Sequence, residues 1–402
     1  MREVVFVDFA RTAFGNRGGG LKSFHAVQLA AFAAKGLIDK SGILERGGEH
    51  AIDSIYAGSA FQDKYTRAPV RYLTILLGLP LDTEGHQVEM QCGSAITSIN
   101  HAAWQIALGY ADVAMAGGME SHSTRPCYVN RNVEPYKGLP IEVLKMHLSP
   151  FAEEDIPMLQ VSDKMAKVWN ISRTECDEFA LRSQQRLDAA YKSGLIGDEI
   201  VDVVIPATRK TPEIRINKDE YPKPFSTMEG LGKLRPIYED GVSTAGNSSG
   251  VNDGAGFVLM MTKEKAEELG YTPYAKWVWG ADIGVQPSLM GIGPAFSNLK
   301  AINQAGLSLG DMDVIECNEA FAAQNLAVIK EMETQSGMSI DQEKWNPNGG
   351  AIAIGHPNGA SGARVAMFAM KQLEKTGGKY GIFGSCCGGG HGTSTIIENL
   401  RR

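Results

Sequence analysis

The feature that most restricts how this chain can fold is that it repeats itself. Residues 52–61 (Ile-Asp-Ser-Ile-Tyr-Ala-Gly-Ser-Ala-Phe) match residues 312–321 (Met-Asp-Val-Ile-Glu-Cys-Asn-Glu-Ala-Phe), an offset of 260 between Asp53 and Asp313. A second correspondence follows at 264, between Cys92 and His356. Cys92-Gly-Ser-Ala opens a helical run to about Leu108, and residues 109–118 then read as turn, strand and glycines. His356-Pro-Asn-Gly opens a helical run to about Lys375, and residues 377–386 read the same way. Strand-like and helix-like segments alternate throughout, which predicts an α/β fold. If the halves pack about a pseudo-twofold axis, positions 92 and 356 meet at a shared site.

The repeat is interrupted. Residues 121–240 carry mixed helices and polar loops, including a charged, proline-bearing stretch at 210–224. The expected division is therefore 1–120 as the first part of the N-terminal half, 121–240 as an inserted loop domain, 241–272 as the end of that half, and 273–402 as the C-terminal half. Inside the insertion, Ser172 and Glu175 form a capping-box pattern that predicts a helix running to about Ser193. With 402 residues, 43% of them hydrophobic, the chain can bury a large core.

Charge and cysteine usage exclude several classes. The net charge is -7, from 39 basic and 46 acidic residues, and no basic block occurs, which argues against a nucleic-acid partner. No apolar run approaches the roughly 20 residues of a membrane span. Six cysteines in a chain this long do not make a disulfide framework. The opening, Met1-Arg-Glu-Val-Val-Phe-Val, reads as a first strand rather than a signal peptide, and Glu398-Asn-Leu-Arg-Arg402 is not a peroxisomal address. A cytoplasmic, reducing setting is expected.

Three reactive side chains stand at ends of apolar runs followed by small residues. Cys92 precedes a helix, where the positive end of the dipole favours a thiolate and backbone N–H groups can accept a developing oxyanion. His356, between Gly355 and Pro357, is suited to deprotonate Cys92 or to donate to a carbonyl oxygen. Cys386 lies in Ser385-Cys-Cys-Gly-Gly-Gly-His391; adjacent cysteines with a nearby histidine fit tetrahedral zinc poorly, so proton transfer by Cys386 beside glycine N–H donors is the better reading, and no metal is expected. Asn318-Glu-Ala-Phe321 closes a strand with an amide able to orient a water or carbonyl. The glycine-rich segment 245–255 suits either a pantetheine or phosphate cradle or a tight loop between strands.

Together these motifs resemble the thiolase family, the acetyl-CoA acyltransferases. The resemblance is carried by Arg11-Thr-Ala-Phe-Gly15, the Cys92 segment, Ala116-Gly-Gly-Met-Glu-Ser121, residues 244–255, residues 318–321, residues 348–364 and residues 386–392. It implies the thiolase fold: two βαβαβαββ halves in a five-layered α-β-α-β-α sandwich with an inserted loop domain. It also implies roles. Cys92 is then the acylated nucleophile; His356 activates it and, with a water held on Asn318, forms one oxyanion hole; Cys386 is the general acid/base at the α-carbon; and the N–H groups of Cys92 and Gly388 form the second hole. Ser249 and Ala245 would touch the pantetheine arm, with Ala320, Phe321 and Met290 lining the acyl pocket. Three features depart from the family pattern: Pro157-Met158 replaces His-Met, Lys223 stands for a CoA-facing arginine, a poorer fork for phosphate, and residues 123–157 do not follow the pattern of short-chain acetoacetyl-CoA thiolases closely, which bears on substrate and not on the core chemistry.

The implied reaction is reversible condensation or thiolytic cleavage of 3-oxoacyl-CoA by ping-pong kinetics through an acyl-cysteine. The CoA thioesters acetyl-CoA and 3-oxoacyl-CoA, together with free CoA, serve as substrates, with no further cofactor. A short-chain, acetoacetyl-CoA substrate is expected; a longer, branched or aromatic 3-oxoacyl-CoA is the alternative. A condensing ketoacyl synthase would need a histidine or asparagine in place of Cys386. A scaffolding role beside an accessory subunit fits poorly with the intact Cys92, Asn318, His356 and Cys386. The resemblance implies a homodimer or homotetramer, and two cysteines facing one substrate invite a silencing Cys92–Cys386 disulfide.

Overall fold

The computed structural model describes residues 1–130, 142–209 and 211–402; residues 131–141 of the expected insertion and Lys210, at the head of its charged stretch, lie outside the described residues. In chain order the first half contributes β1 (Val4–Thr12), α1 (Ala26–Ser41), β2 (Ser54–Gly58), α2 (Pro69–Leu76), β3 (Glu84–Val88), α3 (Ser94–Leu108) and β4 (Val113–Ser121). After α4 (Met158–Val168) and α5 (Arg173–Lys192) comes β5 (Asn252–Thr262), which pairs antiparallel with both β1 and β4. The second half contributes β6 (Ala275–Gly284), α6 (Gly293–Gln304), β7 (Met312–Cys317), α7 (Ala322–Ser336), α8 (Ser361–Thr376), β8 (Tyr380–Cys387) and β9 (His391–Asn399).

The two strand orders repeat. In the first half, β2 lies parallel between β3 and β4, and β5 and β1 follow antiparallel. In the second, β7 is parallel to β8, and β9 and β6 follow antiparallel. A single parallel bridge from Ile315 to Trp345 stands where β3 stands in the first half. The half-sheets join through β1 and β6, with Val5 opposite Lys276.

Three cores separate five layers. Val27 and Leu37 of α1 pack with Val5, Ile55 and Phe257 on the outer face of the first half-sheet. Ile99 of α3 and Phe368 of α8 fill the centre with Phe6 and Phe383. Ile302 of α6 and Val328 of α7 cover the second half-sheet with Trp345 and Ile396. Strand β1 serves two of these cores through its period-2 alternation. Val5 and Val7 face the outer core and Phe6 the central one; a bulge between Phe6 and Asp8 then resets the register, so that Phe9 again points inward. This is the thiolase fold the resemblance implied.

The central helices α3 and α8 are buried along most of their length, polar residues such as Asn100 and Arg364 included, and both end on left-handed glycines, Gly109 and Gly377. Their starts differ by 267 residues (361 − 94), as do the following strands (380 − 113). That correspondence sets Cys92 opposite Gly359, not His356, which lies three residues earlier; the offset of 264 is corrected accordingly. The helix starts touch: a Cβ on Gly362 would lie 2.6 Å from the Ile96 nitrogen.

Within the insertion, α5 begins on the expected capping box. Ser172 Oγ accepts from the Glu175 N–H at 3.2 Å, and the Glu175 carboxylate accepts from the Ser172 N–H at 2.6 Å. Among the described residues no helix is long and apolar enough to cross a membrane.

Candidate active site

Strand β3 delivers the chain to a tight turn, Gln91–Gly93, immediately before α3. Gln91 adopts φ 49°, a left-handed conformation for a residue with a side chain, which costs on the order of 1–3 kcal/mol and is characteristic of sites that aim a neighbouring group. The turn leaves Cys92 9% exposed. Asn358 donates from Nδ2 to the Cys92 sulfur at 3.2 Å, and the N–H groups of Gly388 and of Cys92 itself also aim at it. The expected favoured thiolate is corrected: burial pushes the thiol up to about 11, and the Glu120 carboxylate adds to that, against the lowering by Asn358 and the two N–H groups. A helix terminus does not offset the desolvation of a buried sulfur, so Cys92 rests as a thiol and its ionisation needs a base.

His356 stands between a short turn, Ala351–Ile354, and α8. Its N–H donates to Asn252 Oδ1 at 2.9 Å, and Gly355, at φ 105°, passes so close to Asn252 that a Cβ would meet its Cγ at 2.6 Å. The Ser361 hydroxyl donates to the Pro357 carbonyl at 3.1 Å, so toward His356 Nδ1, 2.6 Å away, it must accept. That fixes the proton on Nδ1 and leaves Nε2 as the basic nitrogen. Nε2 faces Asn318 Nδ2 at 3.4 Å. The orientation of Asn318 is in turn set by Arg364, which donates to its Oδ1 at 3.3 Å and pairs with Glu316 at the same distance. Burial, with His122 and Arg364 adding, lowers the imidazole to about 3, so it is neutral at rest. Among the described residues no hydrogen bond joins His356 to Cys92 directly.

Cys386, the last residue but one of β8, lies opposite Gly392 and is fully buried. Its thiol is pushed well up by burial, with Cys92, Cys317 and Cys387 adding, and the Ser385 hydroxyl, one residue earlier, lies 3.3 Å from the Cys92 carbonyl oxygen. Its neighbour Cys387 packs elsewhere: a Cβ on Gly93 would meet the Cys387 sulfur at 2.4 Å. Gly388 follows, and its missing side chain would press on Leu148 and Gln91. All six cysteines are free thiols, and among the described residues no group of three or more metal-ligating side chains occurs.

The remaining expected positions fall into two groups. Ser249 N–H donates to the Ala320 carbonyl at 3.0 Å and Ser248 bridges Phe321, which lays the loop carrying exposed Ala245 against the end of β7. Buried Met290 and half-buried Met158, at the first turn of α4, share the second-half core with Ala320 and Phe321. Lys223 is exposed, its ammonium 4.7 Å above the Tyr221 ring, which abuts Gly250 beside Ser249.

Several site residues carried no assigned role in the sequence: Glu120, His122, Asn358, Ser361 and Arg364. Glu120 Oε2 accepts from the Ala60 and Gly359 N–H groups, both at 2.9 Å, tying the loop after β2 to the His356 loop; burial raises its carboxyl to about 7. The available signal was adjacency, since each of the five lies inside or next to a quoted motif.

Comparison with known proteins agrees with this geometry. Residues 4–264 match the family model for the thiolase N-terminal domain, and residues 271–399 that for the thiolase C-terminal domain. The beta-ketoadipyl-CoA thiolase of Pseudomonas aeruginosa is 38% identical, over 99% of this chain and 100% of that one. The acetyl-CoA acetyltransferase of Chromobacterium violaceum is also 38% identical, over 98% and 99%. Human mitochondrial 3-ketoacyl-CoA thiolase superposes with a TM-score of 0.89 at 36% identity, covering 99% of both chains. On both the two-domain match and the full-length likeness, this chain belongs to the thiolase family and is an acyltransferase with thiolase activity.

Proposed function

We propose that the protein catalyses reversible condensation and thiolysis of short-chain 3-oxoacyl-CoA, acetoacetyl-CoA first, with Cys92 as the acylated nucleophile. One observation supports this reading above others: the Cys92 turn lies against the end of β8, with the Ser385 hydroxyl 3.3 Å from the Cys92 carbonyl oxygen and the Gly388 N–H aimed at the Cys92 sulfur. In condensation, the Cys92 proton passes to His356 Nε2 as sulfur attacks the thioester carbonyl. The departing CoA sulfur takes the Cys386 proton. The resulting Cys386 thiolate, strongly basic because buried, removes the α-proton of the second acetyl-CoA. The enolate carbon attacks the acyl-Cys92 carbonyl, and His356 returns its proton to the leaving Cys92 sulfur. A thioester suits this chemistry because sulfur donates little resonance to the carbonyl, and the donor pairs stabilise each oxyanion.

A second substrate reading has its own support. Arg17 and Arg125 act electrostatically on His122, one side chain removed from the nucleophile. Such a cationic flank suits an acyl chain ending in a carboxylate, the kind of substrate named for the Pseudomonas aeruginosa relative. Comparing kcat/KM for CoA-dependent cleavage of acetoacetyl-, 3-oxooctanoyl- and 3-oxoadipyl-CoA decides between them; preference for either longer substrate overturns the short-chain reading.

A homodimer or homotetramer is supported by the unpaired outer edge of β3 and the exposed Tyr72, Ile75 and Leu76 of the adjoining helix. A cytoplasmic, reducing compartment suits a site whose cysteines must remain thiols.

A further inference from the structure

The nucleophile has a side-chain partner that the reaction scheme above does not use. Asn358 follows Pro357 in the His356 loop, and its Nδ2 lies 3.2 Å from the Cys92 sulfur. Its Oδ1 lies 2.7 Å from His122 Nε2. His122 comes from the end of β4, in the other half of the molecule, and is largely buried.

An amide can turn either face to a sulfur. Here the Nδ2 face meets Cys92, so Oδ1 accepts from His122, which then carries its proton on Nε2. The reversed amide would need the other His122 tautomer, with Nε2 free to accept, and would turn an oxygen to the sulfur. The two settings are coupled through His122, and in this one the sulfur meets a donor. A thiolate only accepts hydrogen bonds, so the arrangement favours it and turns the S–H of the resting thiol away from Asn358.

We propose that Asn358 is a catalytic group that orients the Cys92 sulfur and favours its thiolate, and that His122 is the positioning residue that decides which face of the Asn358 amide the sulfur meets.

The charged and titratable surroundings are consistent with this division. Facing Cys92 are Glu120, which opposes its ionisation, and the Gly388 N–H, which supports it; Cys92 in turn opposes the ionisation of Cys386. His122 faces Arg17 and Arg125, donates its backbone N–H to Asp253, and meets the Phe61 ring edge-on. Burial and the two arginines keep its imidazole neutral, the state the tautomer argument needs. A charged His122 would also oppose protonation of His356.

The inference rests on Cys92 being the nucleophile, and the test separates the two. Full-length protein is alkylated with iodoacetamide across pH, and the modified cysteine is located by peptide mass. In Asn358→Leu, the alkylation midpoint of Cys92 is expected to rise by about one pH unit and its rate at neutral pH to fall about tenfold, the scale of one lost charge-assisted hydrogen bond. Acylation of Cys92 by acetyl-CoA should slow in parallel. His122→Phe, which leaves residue 358 in place and covers the case of a misfolded Asn358→Leu, is expected to move both readouts the same way. His122→Gln, able to donate to Oδ1, should restore them. An unchanged midpoint in both Asn358→Leu and His122→Phe, with Cys92 still the modified residue, overturns the proposal. Absence of any Cys92 acylation in the unaltered protein overturns instead the nucleophile assignment on which it stands.

Discussion

Replacing Ser361 with alanine tests the tautomer of His356 without touching any group that meets substrate. The hydroxyl accepts from Nδ1 at 2.6 Å in a fully buried setting. Removing it strands a buried N–H, which costs about 1–3 kcal/mol. Part of that appears as stability. The rest is relieved if the imidazole moves its proton to Nε2, where it would meet the Asn318 amide, itself a donor. The base-competent tautomer thus loses up to 1–3 kcal/mol of preference, and at about 1.4 kcal/mol per decade turnover should fall roughly tenfold to a hundredfold. KM should change little, because no substrate contact is lost. The assay is CoA-dependent cleavage of acetoacetyl-CoA, followed by loss of enolate absorbance, paired with urea unfolding of the same variant. If kcat is unchanged while unfolding free energy drops by the full amount, Ser361 is only a packing residue and the argument for Nε2 as base fails.

Four further outcomes follow from the same geometry. His356→Ala or Asn318→Ala should each lower kcat by about 2.7–4 kcal/mol in barrier terms, the effect of losing one oxyanion donor; a loss under tenfold for both would count against that hole. Cys386→Ser should abolish carbon–carbon bond formation yet leave acetyl-Cys92 detectable by mass, and condensation at the original rate would remove Cys386 from the mechanism. Glu120 has its folded value raised to about 7 from an ordinary 4.5, so the folded state holds the proton more tightly than the unfolded chain does. Stability should therefore fall as pH rises from about 4.5 to 7, by about 3 kcal/mol at most, and Glu120→Gln should flatten that slope in urea titrations at several pH values. Gly118→Ala would set a Cβ 1.9 Å from the Gly359 carbonyl, and soluble protein with normal activity from that variant would contradict the close approach of β4 and the His356 loop.

Much of the fold was legible because its determinants are local. Alternating apolar positions, glycine helix ends at Gly109 and Gly377, and the Ser172 capping box are each written within a few residues. The duplication was legible for the same reason, since each half repeats the same local sentence. The electrostatics of Cys92 were not. Placement before a helix is visible in sequence and argues for a thiolate, whereas the burial that reverses it is a sum over both halves of the molecule. The Asn358–His122 contact spans 236 residues, and neither residue alone distinguishes a site group from a polar loop residue. Arg11 makes the same point: it reads as one letter of a motif, yet it is wholly buried against Glu199 and Asp219, both supplied by the inserted segment.

The corrected offset explains why a duplicated fold makes an asymmetric site. Two equivalent helices, α3 and α8, start face to face, close enough that Gly362 cannot carry a side chain without striking Ile96. Strict symmetry would put position 92 against position 359, and 359 must be small because its backbone lies against Ser59 and the Met119 carbonyl. A reactive side chain therefore cannot occupy the symmetric place in the second half. His356 arrives instead from three residues upstream, through a glycine at positive φ and ahead of a proline, and its Nε2 faces the Asn318 amide. The turn between His356 and α8 accommodates Asn358, whose amide meets the Cys92 sulfur, and α8 opens on Ser361, whose hydroxyl sets the His356 imidazole. The two halves supply the same scaffold, and the three-residue slip between them lets one loop bring both an imidazole and a donor for the sulfur of the other to the proposed site.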